Sequence, residues 1–132
     1  MPVVEIKLNV TVSEQVLAAL SAEVTVALCD SLDPSCATVM VSHTKGPIFV
    51  NRTSAPAAWV QVRSAVDLQI EAKRAFCRRL GEALAKHCGL DPQRVFLQLS
   101  RIASEDAWNL TAQGPRCVRD RLADQVKAKP TA

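Results

Sequence analysis

The tripeptide Leu32-Asp33-Pro34 returns as Leu90-Asp91-Pro92 at an offset of 58 residues, each time between a helix-patterned stretch and a strand-patterned one. Ahead of the first copy, Pro2 to Val10 alternates Val4, Ile6, Leu8 and Val10 with Glu5, Lys7 and Asn9, the period of a half-buried strand. Ser13 can cap a helix running to about Ser31, with Leu17, Leu20, Val24, Ala27 and Leu28 on one stripe. Proline cannot continue the hydrogen-bond ladder, so the helix stops there, and Ala37 to His43, rich in Val and Thr, reads as a second strand. The order then repeats: a strand from Ala57 to Val66, a helix from about Leu68 to Cys88, Gly89 suited to a left-handed helix end, and a strand from Val95 to Arg101. The second helix sets Ala72, Phe76, Leu80, Ala83, Leu84 and His87 on one side and Lys73, Arg74, Arg78, Glu82 and Lys86 on the other. Two unrelated helix stops sharing a common turn tripeptide are the plainer alternative.

Each strand–helix–strand unit is long enough for a right-handed crossover between parallel strands. The fold class that follows is α+β, a tandem β-α-β repeat whose four-stranded sheet carries both helices on one face. The other face is left bare. There Phe96, Gln98 and Ser100 oppose Val95, Leu97 and Leu99, and Trp59, Gln61 and Arg63 oppose Val60 and Val62. Both faces are partly apolar, so the bare one is expected to pack against another subunit in a closed oligomer.

A chain of 132 residues with 48% hydrophobic side chains has room for one compact domain and a core that needs no staples. We divide it into a domain over 1–115 and a basic C-terminal tail or short helix over 116–132. The longest uncharged apolar stretch is interrupted by Ser21, Glu23 and Thr25, so no membrane span is expected. Five scattered cysteines, Cys29, Cys36, Cys77, Cys88 and Cys117, offer no CxxC pair and no metal-ligand spacing, which favours a reducing, cytoplasmic setting without bound metal. The opening MPVVEIKLNV lacks a secretion leader, and the sequons Asn51-Arg52-Thr53 and Asn109-Leu110-Thr111 are therefore read as coincidental. Of the formal net charge of +3, all falls in residues 116–132; the body is neutral and only 4% aromatic, poor material for nucleic-acid binding.

Pro2, directly after Met1, carries the candidate chemistry. Methionine before proline is normally trimmed, which leaves a secondary amine with no flexible stem. In apolar surroundings the ammonium form is disfavoured and the amine moves toward the range of a general base at neutral pH. A proline that merely starts an edge strand is the structural alternative.

With that opening strand and the doubled unit in place, the chain resembles the tautomerase superfamily, and most of all the branch of macrophage migration inhibitory factor and D-dopachrome tautomerase. The likeness covers about residues 1–114. It is clearest in the run from Leu84 through Cys88-Gly89-Leu90-Asp91-Pro92-Gln93-Arg94-Val95 to Phe96, and in Trp108-Asn109. A second likeness, to malonate semialdehyde decarboxylase, spans Glu82 to Trp108. The resemblance implies a homotrimer with its sheets wrapped into a central barrel, no cofactor, and Pro2 moving a proton between oxygen and carbon of an enol or α-keto acid such as a phenylpyruvate. It assigns Ala65 a backbone contact, Gln98 a substrate amide contact from the neighbouring subunit, and Phe96 the place of a pocket tyrosine without its hydroxyl donor.

Leu32 is the main departure, because the family's carboxylate-binding lysine aligns there. Lys45, Arg63 and Arg101 are candidate replacements, each open to the plainer reading of a solvated charge. Val66 and Leu68 occupy the positions of the decarboxylase branch's arginine pair, which disfavours decarboxylation. The segment Pro56-Ala57-Ala58-Trp59-Val60 lacks the CxxC of the inhibitory factor, so thiol chemistry by that route is not implied. Cys77 and Cys88 read as packing thiols, and His43 and His87 have no partner at metal or triad spacing.

The expected function is thus a cofactor-free keto–enol tautomerase. Competing readings are a cytokine-like module that binds a protein receptor through the same scaffold, and a ferredoxin-like module using its tail on nucleic acid or acidic surfaces. Export without a leader stays open, since relatives leave cells in that way.

Overall fold

The structure, a computed structural model, describes residues 2–32 and 38–128. Asp33, Pro34, Cys36 and Ala37 lie outside the described residues, as do Met1 and Lys129, so the first turn tripeptide is described only at Leu32.

Four strands form one sheet in the order β2-β1-β3-β4, with β1 Val3–Leu8, β2 Thr38–His43, β3 Ala58–Ser64 and β4 Val95–Arg101. Within each repeat the pair is parallel, Val3 against Thr38 and Ala58 against Val95, while the two repeats meet antiparallel, with Val3 against Arg63 and Leu8 against Ala58. Helices α1, Glu14–Ser31, and α2, Ile70–Cys88, lie side by side over one face. Val4, Ile6 and Leu8 of β1, Val60 and Val62 of β3, Leu20, Val24 and Leu28 of α1, and Phe76, Leu80 and Leu84 of α2 close into one buried core. The period-2 and period-3.6 stripes of the sequence are these two surfaces pressed together.

Some element ends depart from the sequence reading, and at β1 and β3 a side chain takes over the backbone's hydrogen bonds. β1 stops at Leu8 rather than Val10, because Asn9 Oδ1 accepts from the Ala57 N–H at 2.6 Å and its Nδ2 donates to the Ala55 carbonyl at 3.2 Å. β3 stops at Ser64, whose hydroxyl accepts from the Val66 N–H. α2 starts at Ile70 rather than Leu68, because Gln69 is extended at its N-cap. Ser13 does cap α1, accepting from the Val16 N–H, and Gly89 takes the left-handed position after α2 with φ +66°.

The C-terminal region, read from the sequence as a basic tail or short helix over 116–132, holds a hairpin and a helix. Strands β5, Trp108–Thr111, and β6, Gly114–Cys117, form an antiparallel hairpin, and helix α3, Val118–Ala128, follows. Arg116 and Cys117, placed in the tail by the sequence reading, belong to β6. The hairpin was missed because its strands are four residues long and Gly-Pro interrupts the second.

Candidate active site

Pro2 is fully buried at the head of β1, and the Thr38 N–H donates to its carbonyl at 3.2 Å. Extending the β1–β3 register by one position sets Pro2 against Ser64, whose partner across β3 and β4 is Arg101. Strand alternation turns Pro2, Ser64 and Arg101 toward the same, helix-covered side, in line with Val4, Val62 and Leu99. Three side chains from three strands thus form one row across the sheet. The buried Ala65 follows Ser64 directly, which keeps its backbone beside that row.

The same end of the sheet holds a cavity of about 70 Å³ between the ends of β3 and β4 and the first turn of α2. Arg101 lines it and pairs with Asp67 at 2.8 Å, Nη1 to Oδ1. Lys73, assigned by its helical position to the solvated side, is half-buried and lines this cavity instead.

Other expected site residues sit elsewhere in the protomer. Phe96 and Gln98 belong to the bare face, Gln98 level with Gln61 and Glu5, and Phe96 level with Trp59 and Lys7. They can approach a Pro2 only in another copy of the chain. Arg63 shares the bare face, where it pairs with Glu5 at 3.7 Å and donates to Gln61 at 3.0 Å. Lys45 follows Thr44, whose N–H donates to the Leu8 carbonyl, so it lies at the far end of β1, about 20 Å from the proline by strand rise. Leu32 caps α1 and packs on the core. Its side chain is half-buried there.

A four-stranded sheet built from two β-α-β units that meet antiparallel is a fold shared with known proteins. The family model for macrophage migration inhibitory factor (MIF) covers residues 1–116. The chain belongs to the MIF family. Among solved structures, Leishmania major MIF2 is 26% identical, with a TM-score of 0.72 over 77% of this chain and 89% of that one. The Toxoplasma gondii macrophage migration inhibitory factor has a TM-score of 0.77 at 20% identity, over 87% and 98% of the two chains. A fused 4-OT described as an asymmetric trimer superposes at 0.72 with 16% identity, over 90% and 98%. A search of curated protein sequences returns no match. The MIF fold accounts for the body up to β6, and α3 extends beyond the family match.

Further side-chain interactions were not legible in the sequence. His87 Nε2 lies 2.6 Å from Glu23 Oε2, which joins α2 to α1, so the histidine does have a partner, 64 residues away. That hydrogen bond, before any other cause, holds the Glu23 carboxyl below its usual range. Arg94 donates to the carbonyls of Val50, Thr53, Ala55 and Pro56 and to the Thr53 hydroxyl, clamping the loop whose tight turn holds Asn51 and Arg52 at φ 49° and 66°. Burial pushes the Cys77 and Cys88 thiols up, which suits packing rather than nucleophilic thiols. Among the described residues no group of three or more His, Cys, Asp or Glu could hold a metal ion, and no helix is long and apolar enough to cross a membrane.

Proposed function

We propose that the chain is a cofactor-free keto–enol tautomerase of α-keto acids of the phenylpyruvate type, working as a homotrimer with Pro2 as general acid and base. The observation that supports this reading most is the complete burial of the Pro2 ring in a row with Ser64 and Arg101. A dry, rigid secondary amine removes a proton from the carbon next to the carbonyl and returns it to oxygen in one direction, and reverses these roles in the other. The Ala65 backbone borders the same end of the sheet. Phe96 and Gln98, on the opposite face, serve the site of a neighbouring protomer.

Free amine at Pro2 is a condition of this chemistry, so intact mass is read before turnover. Correctly trimmed protein should remove the enol absorbance of phenylpyruvate, and Pro2→Ala should slow this by about a hundredfold or more. Equal rates for the two proteins would refute the reading.

One observation favours a second reading, a MIF-like protein-binding module with little turnover: a half-buried leucine, Leu32, packs on the core where the resemblance places a lysine, so the aligned position offers no cation to a carboxylate. Trimmed protein inert toward a panel of arylpyruvates is the outcome this alternative requires.

A further inference from the structure

The cavity beside the Pro2 row is lined by two cations and one anion. Lys73 comes from the first turn of α2, Arg101 from the end of β4, and Asp67 from the link between β3 and α2. Asp67 neutralises Arg101 through the 2.8 Å ion pair. Lys73 has no ion-pair partner among the described residues, so one positive charge at this cavity is uncompensated. Val66, Leu68 and Leu99 supply apolar wall, while the Arg101–Asp67 pair at its mouth stays largely exposed, 67% and 72%. At about 70 Å³ the space is too small for an aromatic acid as a whole and large enough for its carboxylate head. Arg101 stands two strands from Pro2 at the same level, roughly 10 Å along the sheet by strand spacing, a gap that an arginine side chain and a short keto acid span together.

We propose that Lys73 and Arg101 form the carboxylate subsite that Leu32 cannot supply, with Asp67 as a built-in competitor that the substrate carboxylate displaces from Arg101. The proposal rests on the tautomerase reading for its substrate, and Lys73 enters as a specificity-determining residue. An incoming monoanion meets Lys73 first, then exchanges with Asp67 for the planar guanidinium, which donates to two carboxylate oxygens side by side. The subsite selects acids over their neutral esters and leaves proton transfer at Pro2 untouched.

The test measures trimmed wild-type protein, Lys73→Gln and Asp67→Asn against phenylpyruvate and its methyl ester, by enol turnover and by calorimetric binding. Lys73→Gln should raise KM and Kd for the acid about tenfold, with kcat and the ester constants near wild type. Asp67→Asn should lower KM and Kd for the acid severalfold, because the competitor is gone. Equal effects on acid and ester, no effect of Lys73→Gln on the acid, or weaker acid binding by Asp67→Asn would each overturn the subsite. Lys73-dependent acid binding without turnover keeps the subsite and refutes the tautomerase reading; Pro2-dependent turnover with Lys73-independent binding does the reverse.

Discussion

The rings of Trp59 and Phe96 stack across β3 and β4 with centroids 4.6 Å apart and planes 13° from parallel, on the face of the sheet that no helix covers. Both remain substantially exposed in the protomer, 37% and 54%, and Phe49 stands exposed beside the same groove. In the proposed homotrimer this apolar stack would meet a neighbouring subunit. A double-mutant cycle on Trp59→Ala and Phe96→Ala, run at one fixed protein concentration, should give a coupling of about 1 kcal/mol. Additive effects would mean that the rings contribute only separately to burial.

The Glu23–His87 contact sets a pH dependence. The carboxyl is lowered in the folded protein from its ordinary 4.5, so its contribution is present above that value and is lost as pH falls through the lower folded one. Glu23→Gln should therefore lower stability at neutral pH and flatten the acid limb of the stability curve measured by urea unfolding. An unchanged acid limb would show that the pair does not couple protonation to folding.

Arg94 spends its whole guanidinium on one loop. Arg94→Ala should cost about 2 kcal/mol and open residues 50–56 to limited proteolysis, while Arg94→Lys recovers only part of this, since an ammonium cannot reproduce the fork.

Leu32→Lys restores the residue that the family resemblance places at this position. Because Leu32 packs on the core, the change should cost about 1–2 kcal/mol in urea unfolding and leave the KM for phenylpyruvate unimproved. A clear fall in KM would show that the α1 end is close enough to the substrate to act.

Gly89→Ala isolates a backbone cost. Nothing lies within 4 Å of an added Cβ there, so the expected loss of about 1 kcal/mol comes from the left-handed conformation alone, read as a lower thermal midpoint.

The sequence by itself determined the two β-α-β units, the Ser13 cap of α1 and the Gly89 end of α2, the faces of β3 and β4, and the singular position of Pro2. These features follow from local periods and from residues such as Ser13 and Gly89 that act within one turn of the chain. Tertiary structure alone decided that Lys73 leaves the solvated stripe for a cavity, that His87 finds Glu23, that Arg94 fastens a distant loop, and that Lys45 ends up remote from the proline. Each of these depends on strand order and on the antiparallel meeting of the two repeats. A side chain's own neighbours in sequence fix which way it faces, whereas the partner it faces is chosen by how elements dozens of residues apart pack against one core.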